Sequence, residues 1–115
     1  MKAVQLRNQE DLAVQEIDEP TPSLGEVLLR VRNAHICGTD MRMYKHGHKG
    51  PNKGAYLTLG HEVAGEIAAL GDGVDRYTVG APAVVAPNYG CGVCDLCVSG
   101  QTHLCRDSEA LGVTR

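Results

Sequence analysis

The chain has 115 residues, enough for one small domain and too few for two domains of ordinary size. Its formal net charge is -3, with 11 Lys and Arg against 14 Asp and Glu, and it contains no Trp and no Phe. Because duplex binding draws its affinity from clustered cations, this composition argues against nucleic acid as a partner.

The first residues and the cysteines indicate the compartment. The N-terminal sequence MKAVQLRNQE has no apolar core of signal-peptide length, and no apolar run approaches the roughly 20 residues of a membrane span. We therefore expect a soluble, cytoplasmic protein with no membrane partner. Since a reducing cytosol disfavours disulfides, metal-binding thiolates are the expected use of the five cysteines.

Short strands punctuated by Gly and Pro are predicted along most of the chain. The first two candidates carry two apolar residues each, Val4 with Leu6 and Leu12 with Val14. From Glu26 to Arg32, apolar positions alternate with mixed ones at a period of two, which predicts a half-buried strand. A helical turn from Thr39 to Lys45 follows, behind a Thr or Asp cap.

The second half of the chain has one strong strand signal and one loop. Residues His61 to Leu70 alternate as a strand, and the turn 71–73 follows. Val79 to Ala86 is a weaker strand candidate, frayed by prolines. Asn88 to Cys105 does not look like sheet and is predicted to be a glycine-rich loop. The expected fold is mainly β, a small and partly open barrel formed by one domain over residues 1–115.

Four cysteines lie within fifteen residues of that loop, at Cys91, Cys94, Cys97 and Cys105. They are a complete set of ligands for a tetrahedral zinc ion. Two-residue gaps let the backbone turn around a metal, and three glycines are expected to permit the tight dihedrals, Gly90, Gly92 and Gly100. A closed four-sulfur site has no open position for a substrate, so its predicted role is structural.

Two other uses of this loop remain as alternatives. One is an iron–sulfur cluster, although in cluster motifs the fourth cysteine usually comes sooner and a proline often follows it. Here Cys105 is followed by Arg106, so zinc is the favoured metal. The other is a set of free or disulfide-bonded thiols.

A second candidate metal site combines the fifth cysteine with a later His-Glu pair. Cys37 and His61 are zinc ligands by chemistry, and Glu62 is a candidate third. An incomplete protein shell would leave room for water or substrate. Since adjacent residues in a flat strand point in opposite directions, joint ligation by His61 and Glu62 requires a bend, for which Gly60 is suitably placed.

Two polar residues near Cys37 are candidates for supporting roles. Asp40 is suited to orient an imidazole ligand, and the Thr39 hydroxyl is able to pass on a proton. The remaining histidines are assigned ordinary polar roles, without ligand function: His35, His46, His48 and His103.

Three motifs in this order resemble one known family. CGTD stands at Cys37 to Asp40, GHEVAGEIAALGDGV at Gly60 to Val74, and the four-cysteine loop follows. Together they resemble the zinc-containing medium-chain alcohol and polyol dehydrogenases, in the branch of sorbitol, threonine and sugar dehydrogenases. The resemblance implies a GroES-like catalytic domain.

The resemblance also implies roles for individual residues. Cys37 and His61 match catalytic zinc ligands, with Glu62 beside the metal and binding it directly in some members. Thr39 matches the hydroxyl that relays the substrate proton, and Asp40 the carboxylate behind the ligand histidine. The loop cysteines match the structural zinc site. Zinc would stabilise an alkoxide, a nicotinamide would accept the hydride, and the substrate would be a small alcohol, polyol or sugar.

The family's nucleotide-binding part is not expected in these residues. The chain has no GxGxxG, so no cofactor-binding residue is assigned. Many relatives carry a histidine that ends the proton relay where this chain has Arg42. We expect a fragment that is inactive alone, from a homo-oligomeric parent enzyme that uses NAD or NADP. The alternative is a structural zinc-binding or assembly module without catalytic activity.

Overall fold

A computed structural model of the chain describes residues 1–48 and 56–114. Its strands are β1 (Lys2–Asn8), β2 (Asp11–Glu16), β3 (Val27–His35), β4 (Leu57–Thr58), β5 (Glu62–Leu70), β6 (Pro82–Val84), β7 (Asn88–Tyr89) and β8 (Glu109–Ala110). The helices are α1 (Gly38–His46) and α2 (Asp95–Val98), with a 3-10 turn at Thr102–Leu104. The expected mainly β fold class is thereby confirmed. No helix of the described ranges is both long and apolar enough to span a membrane.

The strands pair antiparallel in three sheets, in the orders β2-β1-β4, β3-β5-β6 and β7-β8. The longest ladder joins β3 to β5, from Val27 opposite Leu70 at one end to His35 opposite Glu62 at the other. Because β3 leads into α1 and β5 begins just after His61, this register brings two distant parts of the chain to one end of the ladder.

The apolar core is small and lies where α1 packs against the first sheet. Leu6 of β1 is fully buried and packs with Met43 of α1 and Leu57 of β4. Partly buried side chains extend this cluster, Tyr44, Leu59 and Val113. Packing of α1 against this sheet fixes the helix whose first turn follows Cys37.

The predicted strands are present, but three details differ from the sequence-based expectations. The strand predicted from Glu26 to Arg32 continues to His35, and its alternation of burial fails at Val31, which is 51% exposed. The first two residues of the predicted loop do form a strand, because Asn88–Tyr89 pairs with Glu109–Ala110. The turn after β5 is present as expected.

The start of α1 differs from the expected cap. The helix begins at Gly38, so the residue that precedes it is Cys37 and neither Thr39 nor Asp40. Asp40 instead lies in the first turn, where its carboxylate accepts a hydrogen bond of 2.8 Å from the Cys37 backbone N–H. This contact stabilises the helix start and holds the backbone of Cys37 in place.

Candidate metal centres

The four loop cysteines converge as the sequence predicts. We call Cys91, Cys94, Cys97 and Cys105 the four-cysteine site; their sulfur atoms all lie within 4.8 Å of one another. The Sγ atoms of Cys91 and Cys97 are 4.0 Å apart, and those of Cys94 and Cys105 are 3.9 Å apart. Zinc–sulfur bonds of about 2.3 Å in a tetrahedron require sulfurs about 3.8 Å apart. The spacing therefore fits a zinc ion.

Local backbone structure brings the sulfurs together. Cys94 precedes α2, and its sulfur accepts a hydrogen bond of 3.5 Å from the Cys97 N–H. The Cys91 sulfur accepts one of 3.4 Å from the Cys94 N–H, and the Cys105 sulfur accepts one of 3.3 Å from the Cys91 N–H. Such N–H donors favour sulfur that carries negative charge, which is the form that binds a metal.

The thiols differ in acidity because their surroundings differ. Hydrogen bonds from the backbone N–H groups of Val93 and Cys94 lower the pKa of Cys91 to about 7. The Gly92 backbone N–H also lowers the pKa of Cys97, but burial and the neighbouring thiols outweigh it and raise that pKa to about 12. At neutral pH the metal-free site is therefore expected to carry its negative charge first on Cys91.

The glycines of the loop have two different functions. Gly92 and Gly100 have φ angles of 78° and 83°, so they supply the tight dihedrals that the sequence predicts. Gly90 was expected to do the same, but its φ is not in the positive region. A Cβ at Gly90 would lie 2.6 Å from the Cys97 Sγ and 3.1 Å from the Cys105 Cβ. Gly90 is therefore required for space, because the ligands pack directly on its backbone.

The second group of candidate ligands also converges, at the end of the β3–β5 ladder. We call Cys37, His61 and Glu62 the three-ligand site; one ligand atom from each lies within 4.8 Å of the others. His61 is buried at 5% exposure, whereas Glu62 is exposed. Gly60 has a φ of 104°, which provides the bend expected before the adjacent ligands. Three protein ligands leave a fourth zinc position open.

Asp40 lies behind the histidine of this site. Its Oδ1 is 3.5 Å from the His61 Nδ1, and both atoms are buried with no hydrogen-bond partner among the described residues. A buried imidazole and carboxylate are costly without partners. This pair fits a metal at the other ring nitrogen, Nε2, because metal binding there favours an Nδ1–H that points to the carboxylate. The residues of the three-ligand site therefore fit a zinc ion.

Three other polar residues lie on α1 or just after it, Thr39, Arg42 and His48. Thr39 is half-buried in the first turn of α1, and its hydroxyl makes no hydrogen bond to the ligands in the described part of the chain. The His48 Nε2 lies 3.1 Å from the Arg7 carbonyl oxygen, which agrees with an ordinary polar role. Exposed Arg42 lies one turn further along α1.

Two residues near the three-ligand site were missed by the sequence analysis. A Cβ on buried Gly112 would lie 3.5 Å from the Gly60 carbonyl and from the His61 Cβ, so this glycine backs the histidine. His35 was assigned an ordinary role, but it is the residue opposite Glu62 in the ladder. Both depend on long-range pairing, for which the local sequence has no signal.

Comparison with known proteins finds relatives of the chain among dehydrogenases. Residues 23–114 match the family model described as alcohol dehydrogenase GroES-like domain. A sorbitol dehydrogenase of Bacillus subtilis is 37% identical over 116 residues, covering 96% of this chain. Galactitol-1-phosphate dehydrogenase from Escherichia coli is 30% identical with a TM-score of 0.89 and covers 100% of the chain.

A third relative is a cobalt and zinc bound thermostable alcohol dehydrogenase from Pyrobaculum aerophilum, 30% identical with a TM-score of 0.85. Its match covers 100% of this chain and 36% of the Pyrobaculum structure. The match to the galactitol-1-phosphate enzyme covers 33% of that structure. The chain spans between 27% and 34% of the length of the curated relatives it matches, with 32% for the sorbitol dehydrogenase.

Proposed function

Because the chain belongs to the family of alcohol dehydrogenase GroES-like domains, we propose that it is the zinc-binding catalytic domain of a nicotinamide-dependent dehydrogenase. The proposed reaction is oxidation of a hydroxyl group of a small alcohol, polyol or sugar to a carbonyl. The proposed domain comprises residues 1–115, with the structural zinc loop at 88–105. One observation carries the proposal: Cys37, His61 and Glu62 converge on one point that lacks a fourth protein ligand among the described residues.

Two different metal sites support two different roles. The four-cysteine site is closed, so it is suited to hold a loop that buries little apolar surface. The three-ligand site is open, so it is suited to accept a substrate oxygen. Zinc bound there would act as a Lewis acid that makes a substrate hydroxyl acidic near neutral pH. A nicotinamide, NAD or NADP, is the proposed hydride acceptor because no side chain accepts a hydride.

The residues of this chain have three proposed roles: metal binding, orientation of a metal ligand and proton relay. Cys37, His61 and Glu62 would hold the metal, and its fourth position would remain for the substrate oxygen. Asp40 orients the His61 ring through Nδ1 and fixes the backbone of Cys37 through the 2.8 Å hydrogen bond. Thr39, two residues from Cys37, is proposed to relay the hydroxyl proton of the substrate, accepting it while passing its own hydroxyl proton on to water.

The number of bound zinc ions tests this proposal. The purified chain, loaded with zinc and freed of excess metal, is expected to contain two zinc ions per chain by elemental analysis. Cys37→Ser and Cys97→Ser are each expected to remove one, from different sites. A single zinc that survives Cys37→Ser but not Cys97→Ser would favour a structural or assembly module over a catalytic domain.

Turnover provides a second test. We propose that the chain alone does not oxidise sorbitol, threonine or simple alcohols, because no nucleotide-binding residues are assigned in it. The measurement is nicotinamide reduction at 340 nm with the zinc-loaded chain and either NAD or NADP. Enzyme-like turnover that depends on His61 would support the catalytic site and refute the inactivity of the isolated chain.

A further inference from the structure

We propose that Cys91 is a modification site for hydrogen peroxide: its sulfur is oxidised first and then forms a disulfide with Cys97, which converts the four-cysteine site from a metal-binding form to a disulfide form. The inference rests on the structural metal role proposed for this site. It adds a reversible chemical change at residues to which that role assigns only the holding of a loop.

The sulfurs of this site differ in their access to solvent. All of its cysteines are free thiols in the structure. Cys91 is exposed, whereas Cys97 and Cys105 are buried at 9% and 6% exposure. The chain neighbours of Cys91 are Gly90 and Gly92, which have no side chain to shield it. Because oxidation of cysteine depends on exposure as well as on thiolate character, Cys91 is the sulfur expected to react first.

A second thiol lies close to Cys91. The Cys97 Sγ is 4.0 Å from the Cys91 Sγ. It also packs on the backbone next to Cys91, since a Cβ at Gly90 would lie 2.6 Å from it. A disulfide has an S–S distance of about 2.05 Å, so the two sulfurs must approach by about 2 Å in all. Small rotations of both side chains are expected to provide this movement.

The disulfide form and the metal-bound form exclude each other. Sulfurs that bind one zinc ion in a tetrahedron lie about 3.8 Å apart, and metal–ligand distances tolerate only about 0.2 Å. A Cys91–Cys97 disulfide brings two of these sulfurs to about 2.05 Å and removes their negative charge. Oxidation therefore removes two of the four ligands, and the site is expected to lose its metal.

The redox step balances with hydrogen peroxide as the oxidant. The Cys91 thiolate attacks one peroxide oxygen; the S–O bond forms, the O–O bond breaks, and hydroxide leaves and is protonated to water. The Cys97 thiolate then attacks the sulfur of this sulfenic acid; the S–S bond forms, the S–O bond breaks, and the second hydroxide becomes water. The two sulfurs lose two electrons, and one peroxide with two protons becomes two waters.

The remaining cysteine of the chain, Cys37, has no partner for this reaction in its own site. The other ligands of the three-ligand site are an imidazole and a carboxylate, with no second sulfur. Oxidation of Cys37 would therefore stop at an oxygen acid of sulfur. Because Cys37→Ser is expected to remove the zinc of the three-ligand site, this variant allows the four-cysteine site to be followed alone.

The test uses the 115-residue chain with Cys37→Ser, loaded with zinc and freed of excess metal. Hydrogen peroxide is expected to release one zinc ion per chain, measured with a metallochromic dye. Peptide mass mapping without reduction is expected to find a Cys91–Cys97 link. Dithiothreitol followed by added zinc is expected to restore one zinc ion per chain. The unmodified chain is the control, in which the same link is expected.

Three results would overturn the inference. The first is zinc that stays bound under peroxide treatment. The second is zinc release with sulfinic or sulfonic acids in place of a disulfide, which dithiothreitol does not reverse. The third is a first disulfide that lacks Cys91. A Cys37→Ser chain that holds no zinc before peroxide is added would instead refute the structural metal role itself, and the inference with it.

Discussion

Gly90→Ala is the substitution whose effect follows most directly from the packing of the four-cysteine site. The added methyl carbon would lie 2.6 Å from the Cys97 Sγ, 3.1 Å from the Cys105 Cβ and 3.3 Å from the Thr102 carbonyl oxygen. Favourable contacts between such atoms lie at about 3.5 to 4 Å, so the Cys97 sulfur must move by about 1 Å. Metal–ligand distances tolerate only about 0.2 Å.

The energetic cost follows from the same geometry. Overpacking by one methyl group costs about 1 to 3 kcal/mol. Applied to zinc binding, this corresponds to about a 5- to 150-fold increase in the dissociation constant. Applied to folding of the zinc-loaded chain, it lowers Tm by about 4 to 12 °C. The two quantities are measured by chelator competition and by thermal unfolding monitored with circular dichroism.

Two control substitutions separate the effect of steric overlap from the effect of backbone strain. Gly38→Ala adds a methyl group at a position with ordinary φ and nothing within 4 Å, so no loss is expected. Gly92→Ala has equally open surroundings but a φ of 78°, so it tests strain without overlap. If Gly90→Ala kept the zinc affinity and Tm of the unmodified chain, the claim that the ligands pack on the Gly90 backbone would be refuted.

Three further predictions concern acidity, metal support and sheet packing. Asp40→Ala should weaken zinc binding at the three-ligand site about 10- to 100-fold in chelator competition, and an unchanged constant would contradict its supporting role. In the metal-free chain at pH 7.5, Cys91 should be alkylated before Cys97, because the pKa of Cys91 is about 7 and that of Cys97 is about 12. The alkylation rate of Cys91 should be half-maximal near pH 7. Peptide mass mapping measures both, and faster alkylation of Cys97 would contradict the prediction. Gly65→Ala should lower the free energy of unfolding by about 3 kcal/mol, because the added Cβ would lie 2.1 Å from the Arg30 carbonyl oxygen. Urea titration measures this change, and an unshifted urea midpoint would exclude the overlap.

The parts of the molecule that the sequence predicts are those governed by local rules. The strand at His61 to Leu70 follows from alternation and a glycine turn, and it appears as β5 from Glu62. The four-cysteine loop also follows from local spacing, since two-residue gaps already dictate how the backbone bends around a metal. The bend at Gly60 is similarly local, because two adjacent ligands require it.

The parts that the sequence does not predict depend on pairing between distant residues. In the sequence, Gly90 is indistinguishable from other loop glycines. The structure shows that Cys97 and Cys105 pack against its backbone and leave no room for a Cβ. His35 lies beyond the predicted end of its strand, and only the β3–β5 register places it opposite Glu62. A one-residue change of register would move the histidine to the other face.

The same long-range packing links the two metal sites. After Cys105 closes the four-cysteine site, β8 pairs with β7, and the Tyr89 hydroxyl donates a 2.6 Å hydrogen bond to Glu109. The chain then reaches Gly112, whose backbone packs against Gly60 and His61.

The loop is thus held at its two ends by β7 and β8, and between them it has few buried side chains beyond the cysteines. We therefore expect a metal in the four-cysteine site to stabilise this loop in place of an apolar core. Since the segment that leaves this loop forms a wall of the three-ligand site, a metal in the four-cysteine site would also keep His61 in position. In so small a domain, a closed metal site that contacts no substrate would thus help to keep the ligands of the open site in place.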